Sequence, residues 1–328
     1  MNLVLLFAIS IFFAMNMGAS GLGVSFAPSV GSDLIKKNKA VIIFTIFVFL
    51  GSLFLGGRVA KTLGGKIIPA EFIDLNVALI VLSSACISLF LANILKIPQS
   101  TSIATVSSLI GVGIYFRSLN GFMIVYLLAV WAVVPIAAYF TTYFITKRIY
   151  PPTQKNLRFY EKFFLHRNKL VKWILFTNFY SAFGIGTNNV ANVVGPLLAT
   201  DIITPFIGFL VFSLFFGLGG FVLGKGVLNT VSKEIVPVGV LSASIVSLIV
   251  STFIVLCSLL GLPAPYVQFS SLAFLAVYTV KEESNHSKVL VHPVTKRIAK
   301  VWIFTPLLSA LISFLLLTIL GIKNDLHS

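Results

Sequence analysis

The chain has 328 residues, of which 58% are hydrophobic and only 10% charged, with a formal net charge of +15 at pH 7 and a mean hydropathy of +1.02. This composition leaves too little polar surface to cover a soluble globule, and apolar runs long enough to cross a bilayer recur along the chain. The sequence therefore predicts an all-α polytopic membrane protein, and the basic residues between the apolar runs indicate topology rather than a nucleic-acid partner.

Apolar spans are predicted in two sets of five. They cover 1–17, 39–57, 72–95, 100–116 and 121–146 in the first half, and 170–185, 203–224, 236–260, 264–280 and 299–321 in the second. The first span is similar to a signal-peptide core but lacks a basic n-region and a clear cleavage site, so we interpret it as a membrane helix. The predicted domains are a first transmembrane repeat at 1–146, a basic connector at 147–170 and a second transmembrane repeat at 171–328.

The charge distribution predicts the orientation of the chain in the membrane. The stretch 147–172 holds eight Lys or Arg residues and one acid, Glu161, so the connector is predicted to be cytoplasmic. An odd number of spans in each half makes the second half enter from the opposite side, which predicts inverted-topology repeats. Basic residues at 36–39 and 281–300 then also face the cytoplasm, whereas those at 58–66 disagree with this orientation.

A glycine-rich motif follows the first span of each half. The sequence GASGLGVSFAP occupies 18–28, and GTNNVANVVGP occupies 186–196, which is 168 positions later. Polar, non-helical segments persist in hydrocarbon only where they line a protein-enclosed cavity, because an unsatisfied backbone group there costs several kcal/mol. The doubled motif predicts broken or re-entrant segments that form a substrate site between the two repeats. Asn188, Asn189 and Asn192 add three carboxamides that are costly to bury without a ligand or one another.

At these residues the chain resembles the inorganic phosphate transporter (PiT) family, whose signature GANDVANAFGTSVGS occurs once in each repeat. The second copy keeps this frame at 186–192, and the first keeps it at 18–21 and 26–32. The PQSTS sequence at 98–102 is similar to the family's later PVSTTH element and closer to its sulfate permease branch, while the second copy at 263–268 is degenerate. The resemblance implies secondary transport of a tetrahedral oxyanion, often driven by sodium, by a homodimer in the cell membrane.

The departures from the signature remove its charge. Gly21 and Asn189 replace the two signature aspartates, and Ser20 and Val24 replace two asparagines of the first copy. In phosphate transporters of the family those aspartates serve the cation and the substrate. The replacement of both aspartates argues against sodium coupling at positions 21 and 189.

The remaining polar groups favour sulfate over phosphate. Phosphate near neutral pH carries a hydroxyl that needs an acceptor, whereas the oxygens of sulfate only accept. An unpaired donor in a dry site costs about 1–3 kcal/mol, which is roughly a ten- to hundredfold preference. An asparagine or a backbone carbonyl could still accept the phosphate proton, and a membrane-helix hydroxyl often bonds its own backbone instead of a ligand. The predicted substrate-binding residues are Ser20, Gln99, Ser100, Thr101, Ser102, Asn188, Asn189, Asn192, Gln268 and Ser270.

Uphill import of a dianion needs a coupling ion. Entry against about 100 mV costs about 4.6 kcal/mol, so more than two monovalent cations per sulfate are required. Asp33 and Asp201 are 168 positions apart and are the candidate coupling or gating residues for H⁺ or Na⁺, the alternative being that they cap the next helix. Three hypotheses remain: a cation-coupled sulfate symporter with alternating access, a phosphate symporter with the same site, and an uncoupled anion channel or uniporter.

The sequence gives no support for an enzyme, a cofactor or a metal site. Its four histidines lie in polar connectors or the tail, at 166, 286, 292 and 327. Neither cysteine has a second cysteine or a histidine near it in the sequence. No catalytic residues are therefore predicted.

Overall fold

The computed structural model describes residues 2–94, 99–161, 166–226, 228, 239–281 and 293–322. All regular elements of these residues are helical, which confirms the predicted all-α class. Six of the helices are long and apolar enough to cross a membrane. They are Leu3–Gly31, Lys37–Leu63, Gly121–Ile149, Pro205–Val222, Val240–Leu259 and Trp302–Leu320.

The first half contains six α-helices. They are α1 (Asn2–Gly31), α2 (Lys37–Gly51), α3 (Gly57–Leu63), α4 (Leu75–Ile94), α5 (Thr101–Tyr115) and α6 (Gly121–Ile149). A π-helical turn at Ser52–Gly56 joins α2 to α3, and a 3₁₀ turn at Ala70–Phe72 precedes α4. Polar side chains cap the N-termini of several of these helices. At the start of α6, for example, the Asn120 Oδ1 atom accepts a hydrogen bond from the Met123 amide at 3.1 Å.

The connector holds the short helix α7 (Leu157–Tyr160), and the second half repeats the order of the first. Its helices are α8 (Arg167–Asn189), α9 (Ala191–Leu198), α10 (Pro205–Val222), α11 (Val240–Leu259), α12 (Tyr266–Lys281) and α13 (Pro293–Leu320). Within the described residues, each of the ten predicted spans overlaps a helix. Helix α1 corresponds to the pair α8 and α9, and the pair α2 and α3 corresponds to α10. The last three helices of the first half, α4, α5 and α6, correspond in order to α11, α12 and α13.

Glycines bring helices of different halves into close contact. A Cβ atom added at Gly18 of α1 would lie 2.0 Å from the carbonyl oxygen of Phe216 in α10. One added at Gly219 of α10 would lie 2.0 Å from the carbonyl oxygen of Met15. Only glycine permits this approach of two backbones, which is the usual role of small residues between membrane helices.

The same contact recurs between α8 and α2, at positions 168 residues away in the sequence. A Cβ at Gly186 would lie 2.1 Å from the carbonyl oxygen of Val48, and one at Gly51 would lie 2.1 Å from that of Phe183. Each of these four residues is 168 positions from its counterpart at the α1–α10 crossing. Reciprocal contacts of this kind are typical of two-fold related units. The packing thus follows the sequence repeat, while the opposed orientation of the halves in the membrane stays a prediction.

The predicted break at the first motif is wrong. Helix α1 runs without interruption through 18–28, and at the second motif only Val190 separates α8 from α9, with a helical φ of −62° and ψ of −32°. The reason is that the motif glycines serve helix packing, and the hydroxyl groups are satisfied within the helix. Ser25 Oγ, for example, donates to the Gly21 carbonyl oxygen at 2.6 Å.

Two stretches of buried non-helical backbone lie between the helices of two pairs, α4–α5 and α11–α12. Residues 99–100 precede α5, and residues 260–265 connect α11 to α12. Pro98 of the predicted PQSTS element lies outside the described residues. Gln99, Ser100 and Ala264 are all buried. The fold therefore places irregular backbone at these two loops and not at the first glycine motif, which is buried but helical.

Asp33 and Asp201 occupy matching positions, but they do not cap the next helix at its N-terminus. They follow the ends of α1 and α9, with φ values of 55° and 54°. The amide of Asp33 donates to the Val30 carbonyl oxygen and that of Asp201 to the Leu198 carbonyl oxygen, each at 3.2 Å. Aspartate tolerates this left-handed conformation better than most residues, so both residues end helices. The N-caps of α2 and α10 are Lys36 and Thr204.

Candidate functional site

Asn188, at the end of α8, connects the two interior loops. Its Nδ2 atom donates to the Leu262 carbonyl oxygen and to Ser258 Oγ, both at 3.0 Å. Its Oδ1 atom accepts from the Ala264 amide at 2.9 Å and from Ser102 Oγ at 3.2 Å. The side chain is fully buried, and its two donors and two acceptor positions are all used. It therefore joins the loop before α12 to the start of α5.

Asn192, one turn later on α9, binds the same end of α5. Its Nδ2 atom donates to Thr101 Oγ1 at 3.0 Å and to Ser102 Oγ at 3.2 Å. Its Oδ1 atom is buried and has no hydrogen-bond partner among the described residues. Asn192 therefore joins α9 to the first turn of α5 and keeps one acceptor oxygen unused.

Three further amides of the predicted set are buried with unused hydrogen-bonding atoms. Asn189 Oδ1, Gln99 Oε1 and both polar atoms of the Gln268 side chain lack a partner in the part of the chain that the structure describes. Gln99 Nε2 lies 3.5 Å from Ser88 Oγ. A buried polar group without a partner costs about 1–3 kcal/mol, so a concentration of such groups is typical of a site that takes a ligand.

The side chains of Asn188 and Asn192 contact the N-terminus of helix α5. Ser100 is its N-cap, with Oγ 3.5 Å from the Ile103 amide, and Thr101 and Ser102 form its first turn. The free amides and the positive end of the dipole make a helix N-terminus a binding place for anions. We call the buried polar side chains of these helix ends and loops the amide–hydroxyl cluster, whose members are Gln99, Ser100, Thr101, Ser102, Asn188, Asn189, Asn192, Ser258 and Gln268. All of these side chains are uncharged.

Two predicted site residues bond their own helices instead. Ser20 is exposed on α1, and its Oγ atom donates to the Met17 carbonyl oxygen at 3.1 Å. Ser270 Oγ donates to the Val267 carbonyl oxygen at 3.0 Å. The alternative recognised from the sequence, a hydroxyl satisfied by its own backbone, describes both residues. The hydrogen bonds of the structure do not connect either of them to the amide–hydroxyl cluster.

The sequence-based site omitted Ser258 and Thr187. Ser258 Oγ accepts from Asn188 Nδ2 and from Thr187 Oγ1, both at 3.0 Å. A single serine in an apolar span gives little signal by itself. The sequence repeat offered a signal for Ser258, because the residue 165 positions before it is Asn93, which is also a polar residue in an apolar span.

Two long side chains bind backbone carbonyl groups at the end of α11 and in the loop that follows it. Trp131 Nε1 of α6 donates to the Pro263 carbonyl oxygen at 2.8 Å. An Arg58 guanidinium N–H of α3 donates to the Leu259 carbonyl oxygen at 2.6 Å. Together with Asn188, these contacts fix the loop whose amide and carbonyl groups face the amide–hydroxyl cluster.

Comparison with known proteins identifies the family. Residues 17–313 match the model of the phosphate transporter family. The chain belongs to this family. It is 36% identical over 323 residues to the sulfate permease CysP of Bacillus subtilis, a match that covers 97% of this chain and 88% of that protein. It is 25% identical over 312 residues to a putative phosphate permease of Methanocaldococcus jannaschii, covering 94% of each.

A solved structure of the sodium-dependent phosphate transporter has the same fold. The two chains superpose with a TM-score of 0.78 at 21% sequence identity, covering 98% of this chain and 99% of that one. Membership of the phosphate transporter family confirms the resemblance found in the sequence. It makes the chain a multi-pass membrane transporter of anions and not an enzyme.

Proposed function

We propose that this member of the phosphate transporter family imports sulfate by cation-coupled symport with alternating access, and that the amide–hydroxyl cluster binds the anion. The observation that carries the proposal is the cluster itself. It is buried, it is built by both halves of the chain, and its nine side chains include hydroxyl and carboxamide groups but no carboxylate.

The missing carboxylate supports sulfate over phosphate. Sulfate needs only donors, and the cluster offers hydroxyl groups, amide NH₂ groups and the N-terminus of α5. Phosphate also needs an acceptor for its proton, which a signature aspartate would supply where this chain has Asn189. A similarity to a sulfate permease over nearly the whole chain supports the same choice.

The uncharged cluster also bears on the coupling ion. Carboxamides and aliphatic hydroxyls do not titrate near neutral pH, so the cluster itself offers no proton carrier. The unpartnered oxygens of Asn189, Asn192 and Gln99 are instead ligands of the kind that a hard cation takes. Although the signature aspartates are absent, these neutral oxygens lead us to expect that sodium drives import, and the exposed Asp33 and Asp201 are the candidates for a route that uses protons.

Uptake of labelled sulfate and phosphate into proteoliposomes tests this proposal, with sodium and pH gradients imposed separately. We expect sulfate to accumulate beyond its equilibrium level when sodium is high outside, and the accumulation to collapse when the sodium gradient is dissipated. Accumulation of phosphate in preference to sulfate would make the protein a phosphate symporter. Equilibration of sulfate without accumulation under either gradient would indicate a channel or uniporter.

A further inference from the structure

The basic residues at 58–66 are the part of the charge pattern that the predicted orientation does not explain. Arg58, Lys61 and Lys66 are exposed and lie on the predicted outer side, where basic residues are disfavoured. Arg58 differs from the two lysines because its guanidinium donates to the Leu259 carbonyl oxygen of α11 at 2.6 Å. Leu259 lies 201 positions later in the chain, so this charged hydrogen bond joins the first half to the second.

The C-terminus of α11 is complete without Arg58. The Gly261 amide donates to the Ser258 carbonyl oxygen at 2.9 Å, and the Leu262 amide donates to the Cys257 carbonyl oxygen at 2.8 Å. With a φ of 73° at Gly261, these bonds form a Schellman motif, in which the helix end is capped by its own backbone. Arg58 is therefore not needed to end α11. Its bond connects a helix end that is already capped to α3.

The bond between Arg58 and Leu259 lies next to the amide–hydroxyl cluster. Ser258 precedes Leu259 in the chain, and its Oγ atom accepts from Asn188 Nδ2 at 3.0 Å. The backbone of α3 also lies against the loop after α11, because a Cβ atom added at Gly261 would be 3.0 Å from the Arg58 carbonyl oxygen. Movement of α3 away from α11 would therefore uncover the backbone beside a member of the cluster.

Helix α3 packs on a second element of the site and follows an irregular segment. A Cβ atom added at Gly195 of α9 would lie 2.7 Å from Leu63 Cβ, so α3 covers the helix that carries Asn192. The π-helical turn at Ser52–Gly56 precedes α3, and no atom lies within 4 Å of a Cβ added at Gly57. Turns of this kind inside helices are frequent at functional sites. A helix of seven residues thus contacts both α9 and α11 and is joined to α2 through a segment that can adjust.

The sequence repeat places a second basic residue at the matching position of the other half. Lys225 follows Arg58 by 167 positions, and Ile94, at the end of α4, precedes Leu259 by 165 positions. Lys225 is exposed and makes no hydrogen bond or ion pair with the described residues. Within the part of the chain that the structure describes, the bond is thus present at one of two matching places. Alternating access in a duplicated transporter requires the contacts that close each side to form in turn.

We propose that Arg58 is a latch that holds α3 against α11 and closes the amide–hydroxyl cluster on the α3 side. The latch rests on the alternating access of the proposed function, in which this side must open and close once in each cycle. The bond favours the closed state because a cation is stabilised at a helix C-terminus and a charge-assisted hydrogen bond is stronger than a neutral one. Removal of the bond destabilises the closed state alone, so it should increase the population that is open on the α3 side.

The accessibility of a cysteine in the cluster measures that population. The reporter is Asn189→Cys in a protein whose native cysteines are replaced, Cys86→Ala and Cys257→Ala, and Ser258→Cys beside the latch is a second reporter. The reagent is the membrane-impermeant anion sulfonatoethyl methanethiosulfonate, applied to right-side-out and to inside-out membrane vesicles. We expect Arg58→Gln to raise the labelling rate about tenfold or more from one side only, because a hydrogen bond to a charged group is lost on the side that α3 faces. In the predicted orientation this is the outer side.

The change of charge acts against the expected result. Loss of a positive charge alone slows the approach of an anionic reagent, so faster labelling must come from opening. Lys61→Gln removes an exposed charge one turn later on α3 and is the matched control, which should not raise the rate. Arg58→Lys keeps a cationic donor and should give a rate between those of the unchanged Arg58 protein and the Arg58→Gln variant.

Three outcomes would overturn the latch. Equal labelling of the Arg58→Gln and Lys61→Gln variants from both sides would show that the bond closes nothing. Faster labelling of Arg58→Gln from both sides, or failure of this variant to reach the membrane folded, would show that the bond supports the fold in general. The labelling needs no substrate, whereas uptake by the unmodified protein decides between sulfate and phosphate, so the latch and the proposed anion can fail separately.

Discussion

The asparagines of the second motif divide into two kinds by their hydrogen bonds. Asn188 uses all four of its hydrogen-bonding positions to join protein groups, so its contribution is to hold the two interior loops together. Asn189 and Asn192 keep a buried oxygen without a protein partner. Asn188 therefore has the contacts of a structural residue, whereas Asn189 and Asn192 are better suited to contact a substrate or an ion directly.

This division predicts different stabilities for two neighbouring variants. Asn188→Ala leaves the Leu262 carbonyl and the Ala264 amide buried without partners, which should lower the free energy of unfolding by about 2–4 kcal/mol. Asn189→Ala removes an amide whose oxygen has no partner in the described protein, so it should cost less than about 1 kcal/mol and still abolish sulfate uptake. Thermal unfolding in detergent compares the two. Equal destabilisation would contradict the structural role of Asn188.

Substitution of Asn189 should also change the preference of the protein between sulfate and phosphate. Asn189→Asp restores a carboxylate that can accept the phosphate proton and that repels sulfate, so the preference should shift toward phosphate by about tenfold or more. Competition of unlabelled phosphate against labelled sulfate uptake measures the shift. Asn120→Asp, at the exposed N-cap of α6, adds the same charge away from the cluster and should leave the preference unchanged. A variant at 189 that still excludes phosphate would refute the donor and acceptor argument.

At the scale of helices and loops, the sequence predicted the spans better than the breaks. Apolar length located a helix in each of the ten predicted spans, six of them long enough to cross a membrane, and the motifs located most members of the cluster. The break at the first motif was wrong because Gly18 contacts Phe216, a partner almost 200 positions away that no local pattern reveals. Ser258 was missed for the same reason, since its importance comes from Asn188 in another helix.

The glycine contacts between helices predict a pair of equivalent defects. Gly219→Ala and Gly51→Ala would each place a methyl group about 2 Å from a backbone oxygen, so each should destabilise the protein by about 1–3 kcal/mol through forced separation of the helices. Gly57→Ala is the matched control, because no atom lies within 4 Å of an added Cβ there. The midpoints of thermal unfolding in detergent measure all three. Similar midpoints for all three variants would show that the two crossings are not tightly packed.

For the whole molecule, the reciprocal crossings explain how one duplicated unit makes one site. Helix α1 packs on α10 as α8 packs on α2, so each half is built into the other. The site is nevertheless asymmetric, because Asn188 and Asn192 correspond to Ser20 and Val24 of the first half. Only the second motif supplies carboxamides to the cluster, and the first motif supplies the packing surface. Both copies therefore contribute the packing scaffold, and the second copy alone contributes the asparagines of the site that we propose for the anion.

The opposed orientation of the halves is open to a direct test at Asp33 and Asp201. These residues are exposed and have the same conformation at matching positions, so inverted repeats must place them on opposite sides of the membrane. In intact cells, a membrane-impermeant maleimide should label a protein with Asp201→Cys from outside and should label one with Asp33→Cys only after the membrane is permeabilised. The native Cys86 and Cys257 are buried and should give little background. Labelling of both variants from the same side would exclude inversion and, with it, a site formed where two opposed halves meet.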